Sequence, residues 1–248
     1  MPATPAWPPE SSVRLFVETR LSENAQIRLD GAQAHYLVSV MRLKIGEHVK
    51  LFDDATGEWL AEAVMVGKRD ITLNVMAHIK AREPVPDLWL AAAPIRRARY
   101  DWVAEKACEL GVSRFVPVLT RRAVVDKVKD DRLRAHMIEA AEQCGRSALP
   151  EISAPIKLLD WLKTLAGRTL FFADEAGGQP FAAAIAARSR PAAILIGPEG
   201  GFDDAERDAI RATIGAVSIT LGPRILRADT AAIAAVSVWM ACSEDALT

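Results

Sequence analysis

Two short stretches of the chain concentrate residue types that bind ligands. The first is Ile196-Gly197-Pro198-Glu199-Gly200-Gly201-Phe202-Asp203, which follows a buried-looking apolar run. Its glycines let main chain approach a ligand closely and turn backbone amides toward it. Asp203, three residues before Glu206, has the form of a capping box opening a helix. The stretch is neither a Walker A loop, since no GK[ST] is present, nor a GxGxxG turn. A tight strand-to-helix turn is the structural alternative. The second stretch, Leu221-Gly222-Pro223-Arg224-Ile225-Leu226-Arg227-Ala228-Asp229-Thr230, also leads from an apolar run into an apolar helix. Asp229 or Thr230 can serve as a plain helix cap. Capping does not account for Arg224 and Arg227, because a cation near a helix N-terminus is unfavourable. Both arginines therefore point to a functional role.

The elements that must position these loops alternate in character. Strand patterns occupy Leu88 to Ala93, Arg114 to Leu119, Thr169 to Ala173, Ala192 to Ile196 and Val217 to Leu221. Helical patterns lie at Tyr100 to Leu110, Asp131 to Gly145, Pro180 to Ala187 and Asp203 to Ile214. This is an α/β pattern with a mostly parallel sheet, whose ligands bind beyond the carboxyl ends of the strands. Thr230 to Cys242 is apolar on every face, so the helix either threads into the domain or is covered by another subunit. The earlier tract, Val13 to Lys80, reads as β-rich with one short helix at Ala32 to Met41, the size of a small barrel. Pro84 and Pro86 stiffen the segment between them. The expected division is residues 1–80 and residues 87–248.

Composition narrows the function classes. The 248 residues are 50% hydrophobic and 25% charged, with a net charge of -1, so no global basic surplus advertises nucleic acid. Locally, Ala91 to Ala135 carries eleven basic side chains against six acidic ones. Such a surface can hold phosphates, or it is a solvated helical face. Cys108, Cys144 and Cys242 are scattered without a CxxC, and the four histidines have no ligand spacing, so neither disulfides nor a metal site is expected. Prolines 2, 5, 8 and 9 interrupt any leader-like apolar run, and no stretch is long and apolar enough to span a membrane. A cytoplasmic location is expected.

GPEGGF followed by LGPRILRADTA resembles the paired C-terminal signature of the SPOUT methyltransferases, and within them the 16S ribosomal RNA uracil-N3 methyltransferase family. Glu105 to Val112 (EKACELGV), Ala140 to Ser147 (AAEQCGRS), Arg14-Leu15-Phe16 and His35-Tyr36-Leu37 with Met41-Arg42 resemble further segments of that family, so the likeness covers nearly the whole chain. Two departures stand out: Asp229 replaces a usual glutamate, and Thr120-Arg121-Arg122-Ala123 replaces a TERS-like segment. The resemblance implies a PUA-like β-barrel for RNA placement, then an α/β SPOUT domain with a trefoil knot. S-adenosylmethionine would lie against Ile196, Gly197, Gly200, Gly201, Leu221, Gly222, Ile225 and Leu226. It further implies a homodimer, with 16S ribosomal RNA or the small ribosomal subunit as partner and no metal. RNA contacts fall to Arg14, Arg42, Arg96, Arg97, Arg99 and Arg146.

The implied reaction is methyl transfer to N3 of a specific uridine in the decoding region. If the N3–H is about two units too weak an acid, ionising it costs about 2.7 kcal/mol. One guanidinium at ~4 Å offsets about 4 kcal/mol in an effective dielectric near 20. Arg224 or Arg227 can supply that cation, and Asp229 or Glu199 can take the proton. Two alternatives remain: a SPOUT ribose 2′-O-methyltransferase, and a non-catalytic ribosomal-RNA-binding dimer.

Overall fold

The computed structural model describes residues 13–243 apart from 124, 126, 127, 166 and 188–190. The proline-rich start and Lys127 of the basic stretch thus lie outside the described residues. The chain divides into two compact units: residues 1–84 with 141–148, and residues 85–140 with 149–248.

Unit 1 contains β1 (Arg14–Phe16), β2 (Gln26–Leu29), α1 (Gly31–His35), β3 (His48–Asp53), β4 (Gly57–Val66) and β5 (Ile71–Lys80). The strands form one sheet in the order β1-β3-β4-β5-β2. Only the β1–β3 pairing is parallel. Alternating apolar residues from the strands, such as Val49, Leu51, Ala61, Ala63, Leu73 and Val75, meet in one core. The helix expected over Ala32 to Met41 is real but changes pitch. After α1 it continues as a π-helical turn, Tyr36–Val40, and Arg42 then adopts a left-handed φ of 57°.

Unit 2 follows with β6 (Leu88–Ala92), α2 (Arg97–Glu109), β7 (Arg114–Leu119), α3 (Asp130–Cys144), β8 (Glu151–Ile152), β9 (Ile156–Lys157), α4 (Leu158–Leu162) and β10 (Thr169–Ala173). It ends with β11 (Gln179–Pro180), α5 (Phe181–Ala186), β12 (Ala192–Ile196), α6 (Asp204–Ala212), β13 (Ala216–Thr220) and α7 (Ala228–Cys242). The last residues of α3 belong to unit 1.

The unit 2 sheet is parallel, in the order β11-β13-β10-β12-β6-β7-β8. Every residue of β12 is buried, as a strand covered on both faces requires. β10 lies between β12 and β13, so the loops leaving these three strands gather at one edge of the sheet. α2 buries Tyr100, Val103, Ala104, Ala107 and Cys108, one face of a 3.6-residue period.

α7 packs on α2, α5, β12 and β6. Trp239 is only 1% exposed within this single chain. Of the two covers the sequence left open for the last helix, its own domain supplies one, burying Ala231, Ala232, Ala235, Val236 and Trp239. What it leaves half-exposed is a narrower stripe containing Ile233, Ala234 and Val238.

Candidate active site

The loops after β10, β12 and β13 enclose a cleft of 480 Å³. That volume is within the ordinary range of small-molecule sites, roughly 300–1,000 Å³. Both motif stretches line it. Of the residues expected to hold the cofactor, Ile196, Gly197, Gly201, Leu221, Gly222, Ile225 and Leu226 are in its walls. Gly200 is not among the wall residues; its carbonyl instead accepts a hydrogen bond from Arg122 Nη1 at 3.0 Å. Glu199, Arg224 and Arg227 also line the cleft.

Backbone conformation explains two of the glycines. Gly201 has φ 66°, and a Cβ there would stand 2.9 Å from Glu175 Oε1. Gly222 has φ 125°, a conformation that side chains rarely adopt. Phe202 plugs the floor from below, 3% exposed, while Ile225 at the lip is 86% exposed.

The cleft has a third wall that the motifs did not reveal, Ala173 to Gly177. Asp174 anchors it. Its side chain is fully buried, with Arg211 Nη2 at 2.7 Å and Arg207 Nε at 3.3 Å, and it accepts the Ala176 amide at 3.0 Å. Arg207 also reaches Glu175 at 2.9 Å. The signal was present: Thr169 to Ala173 was already legible as a buried strand, and the rule about carboxyl ends applies to it as to the other two.

The TERS-like segment's replacement has a structural task. The Arg121 amide donates to Glu206 Oε1 at 2.8 Å, and its guanidinium reaches Asp203 Oδ2 at 3.0 Å. Together with Arg122 on Gly200, these contacts brace the first loop from outside. Asp203 caps α6 as expected, accepting the Glu206 amide at 2.7 Å while Glu206 accepts from the Asp203 amide at 3.2 Å. The Glu206 amide, then Arg121, hold the Asp203 carboxyl below the usual carboxylate range.

Asp229 behaves differently from the cap the sequence suggested. The N-cap of α7 is Arg227, which makes no capping hydrogen bond. Asp229 sits inside the first turn, where its Oδ1 accepts its neighbour's amide, Thr230 N–H, at 2.9 Å. Arg99 of α2 stands between the two candidate carboxylates, with Nη1 3.7 Å from Glu199 and Nε 3.7 Å from Asp229. Both distances exceed those of direct charge-assisted hydrogen bonds. Glu199 and Arg227 line the cleft, while Asp229 is not among its wall residues and is linked to Glu199 only through Arg99.

The other arginines expected to touch RNA separate into two kinds. Arg96, Arg97 and Arg42 are exposed. Arg14 and Arg146 are not free for phosphate, which corrects that expectation. Arg14 pairs with Glu58, donates to the Arg146 carbonyl at 2.7 Å and lies 3.7 Å over the Phe52 ring. The Arg146 side chain is 4% exposed, with Glu83 at 3.8 Å. Both arginines are consumed in holding unit 1 together. Among the described residues no group of three His, Cys, Asp or Glu side chains could hold a metal, and no helix is long and apolar enough to cross a membrane.

A cleft at the carboxyl edge of a parallel sheet, with glycine loops and a charged mouth, defines an enzyme-like α/β domain. Comparison with known proteins identifies its class. Residues 81–240 match the RNA methyltransferase domain, and residues 29–76 match the RNA methyltransferase PUA domain. The chain belongs to this family of RNA methyltransferases. Ribosomal RNA small subunit methyltransferase E of Rickettsia conorii is 31% identical, over 90% of this chain and 93% of that protein. A Legionella pneumophila methyltransferase, solved with bound S-adenosylmethionine, is 27% identical with a TM-score of 0.82, covering 93% of this chain and 97% of that one. The ribosomal RNA small subunit methyltransferase E of Neisseria gonorrhoeae shares the fold, with a TM-score of 0.83 at 22% identity over 94% and 98% of the two chains. The expected architecture, a PUA domain followed by a mostly parallel α/β domain, is met.

Proposed function

We propose that the protein transfers a methyl group from S-adenosylmethionine to N3 of a specific uridine in 16S ribosomal RNA, in the cytoplasm. The observation that carries this reading is the convergence of both motif loops on one cleft, with Glu199, Arg224 and Arg227 in its walls. The cleft suits the cofactor chemically. Ile196, Leu221, Ile225 and Leu226 offer apolar surface to an adenine, and the main chain around Gly197, Gly201 and Gly222 comes close without side chains. When bound, the cofactor supplies a methyl group on a positively charged sulfur.

The protein's own residues then have three tasks. N3 lies on the Watson–Crick edge, so the uridine must be unpaired or flipped out to reach the cleft. As the N3–carbon bond forms and the carbon–sulfur bond breaks, the N3 proton must leave, and Asp229 or Glu199 accepts it. Negative charge gathers on the uracil carbonyl oxygens, where Arg224 and Arg227 stabilise it. Unit 1 places the RNA, with Arg42 exposed for that purpose. A homodimer also fits: Trp102 on α2, 41% exposed, and the half-exposed stripe of α7 are apolar surface that a second copy can cover.

The test is mass spectrometry of small-subunit ribosomal RNA from cells lacking the gene. One base-methylated uridine should disappear and return with the wild-type gene. A lost methyl on a ribose identifies a 2′-O-methyltransferase instead, and unchanged RNA leaves a binding protein.

A further inference from the structure

Beside the cleft lies a second cavity of 360 Å³, lined by Arg96, Arg99, Glu199 and Arg227. It shares Glu199 and Arg227 with the first, so occupants of the two cavities meet across those side chains. Three of its four lining residues are arginines. Arg99 reaches its carboxylates only at 3.7 Å, and among the described residues no ion pair or hydrogen bond engages the side chains of Arg96 or Arg227. Glu199 in the lining and Asp229 beside Arg99 offset two of the three guanidinium charges, so the space keeps a surplus of one cation that attracts an anion.

The backbone adds to this field. Arg96 is the N-cap of α2 and Arg227 the N-cap of α7, and neither helix start has a side-chain cap. The first turn of α2 holds no acidic residue. The start of α2 therefore keeps its partial positive charge and unsatisfied amides, the arrangement that receives phosphate, whereas at α7 the Asp229 carboxylate lies in the first turn and accepts the Thr230 amide. Arginine is a poor cap on stability grounds, yet it occupies that position at both helix starts facing one cavity.

We propose that this second cavity binds a backbone phosphate of the acceptor RNA strand, beside the reacting base, through Arg96, Arg99 and Arg227. The proposal rests on the methyltransferase reading, because it treats the adjoining cleft as the cofactor site. Arg99 is then a positioning residue: it turns from Glu199 and Asp229 toward the phosphate as the nucleotide arrives. Arg227 serves both cavities, which ties the position of the phosphate to that of the base.

Binding to the whole protein, saturated with S-adenosylhomocysteine so that no turnover occurs, tests this. Uridine 5′-monophosphate should bind at least about tenfold more tightly than uridine, as a charge-assisted contact to phosphate provides. Arg96→Gln and Arg99→Gln should each remove most of that preference. Lys163→Gln, which deletes an exposed cation elsewhere in unit 2, should keep it. Circular dichroism establishes that each variant is folded. Equal or undetectable binding of nucleotide and nucleoside overturns the proposal, as does a preference that survives both substitutions. Inorganic phosphate binding as tightly as the nucleotide identifies a free-phosphate site and also overturns it. Methyl transfer plays no part in the measurement. A protein that methylates N3 but binds the two probes alike keeps its function and loses this cavity. A protein without methyl transfer that retains the arginine-dependent preference keeps the cavity and loses the function.

Discussion

The loops after β12 and β13 have the same plan and opposite finishes. Each leaves a strand of the parallel sheet through Gly-Pro and runs into a helix whose start carries an aspartate. In the first, Asp203 closes a complete capping box and Phe202 is buried beneath the turn. In the second, an arginine without a capping bond occupies the same position, Asp229 lies beyond it, and Ile225 is almost fully exposed. The first loop satisfies itself. The second leaves an apolar side chain and a cation available, as a loop must if a ligand is to complete it.

The largest contrast expected is between Phe202 and Ile225. Phe202→Ala removes a buried side chain from the core cluster that also holds Leu195, Ile210 and Trp161, and should lower stability by about 3–5 kcal/mol in urea unfolding. Ile225→Ala should stay within about 0.5 kcal/mol of wild type. Its cost should appear instead as weaker S-adenosylmethionine binding in calorimetry. Matching stability losses in the two variants would erase the distinction between the loops.

Next in size is Asp229→Asn, which keeps shape and removes one of the two proposed proton acceptors. Single-turnover methyl transfer should fall about a hundredfold, near 2.7 kcal/mol, and partly recover at high pH as the uracil ionises unaided. Cofactor affinity should change little. A rate close to wild type across the pH range, with Glu199→Gln deficient, moves the role to Glu199.

Arg227→Ser opposes stability to activity. Serine is a preferred N-cap, and the change also removes a cation from the helix start, so stability should rise by about 0.5–1 kcal/mol. Methyl transfer should fall about tenfold, and its pH profile should shift upward as the carbonyl oxygens lose their cation. A variant both less stable and less active would make Arg227 a structural residue.

These contrasts mark where the sequence was readable. Ala192 to Ile196 announced a buried strand because both faces are covered, and the two Gly-Pro loops after such strands could only lie at the sheet's carboxyl edge. The third wall escaped because Ala173 to Gly177 has no glycine signature before the pair at its end, and Asp174 is held by Arg207 and Arg211 more than thirty positions away. The two-residue strands β8, β9 and β11 are too short for a periodic pattern. Arg14 and Arg99 look alike in sequence. Only tertiary contacts reveal that one is fastened between Glu58 and the Phe52 ring while the other stands between two carboxylates at a cavity. Likewise, the apolar sequence of α7 cannot say whether its own domain or another subunit covers Trp239.

The smallest effect expected is at Asp203, and it sharpens the comparison by its pH dependence. The folded state holds this carboxyl below its ordinary value, through the Glu206 amide and then Arg121. Such a group binds its proton less readily when folded than when unfolded. Its stabilisation is therefore fully present above the unfolded pKa of about 3.9 and is lost as pH falls through the lower folded value. Asp203→Ala should lower the melting temperature at pH 7, and the gap from wild type should narrow in acid. Asp203→Asn, still a good cap, should retain more of the stability and lose chiefly its acid-sensitive part. Both should methylate at nearly the wild-type rate once folded, because Asp203 faces Arg121 and α6 and does not line the cleft. A large catalytic loss in a folded Asp203→Asn protein would mean that the first loop, too, keeps its carboxylate for chemistry.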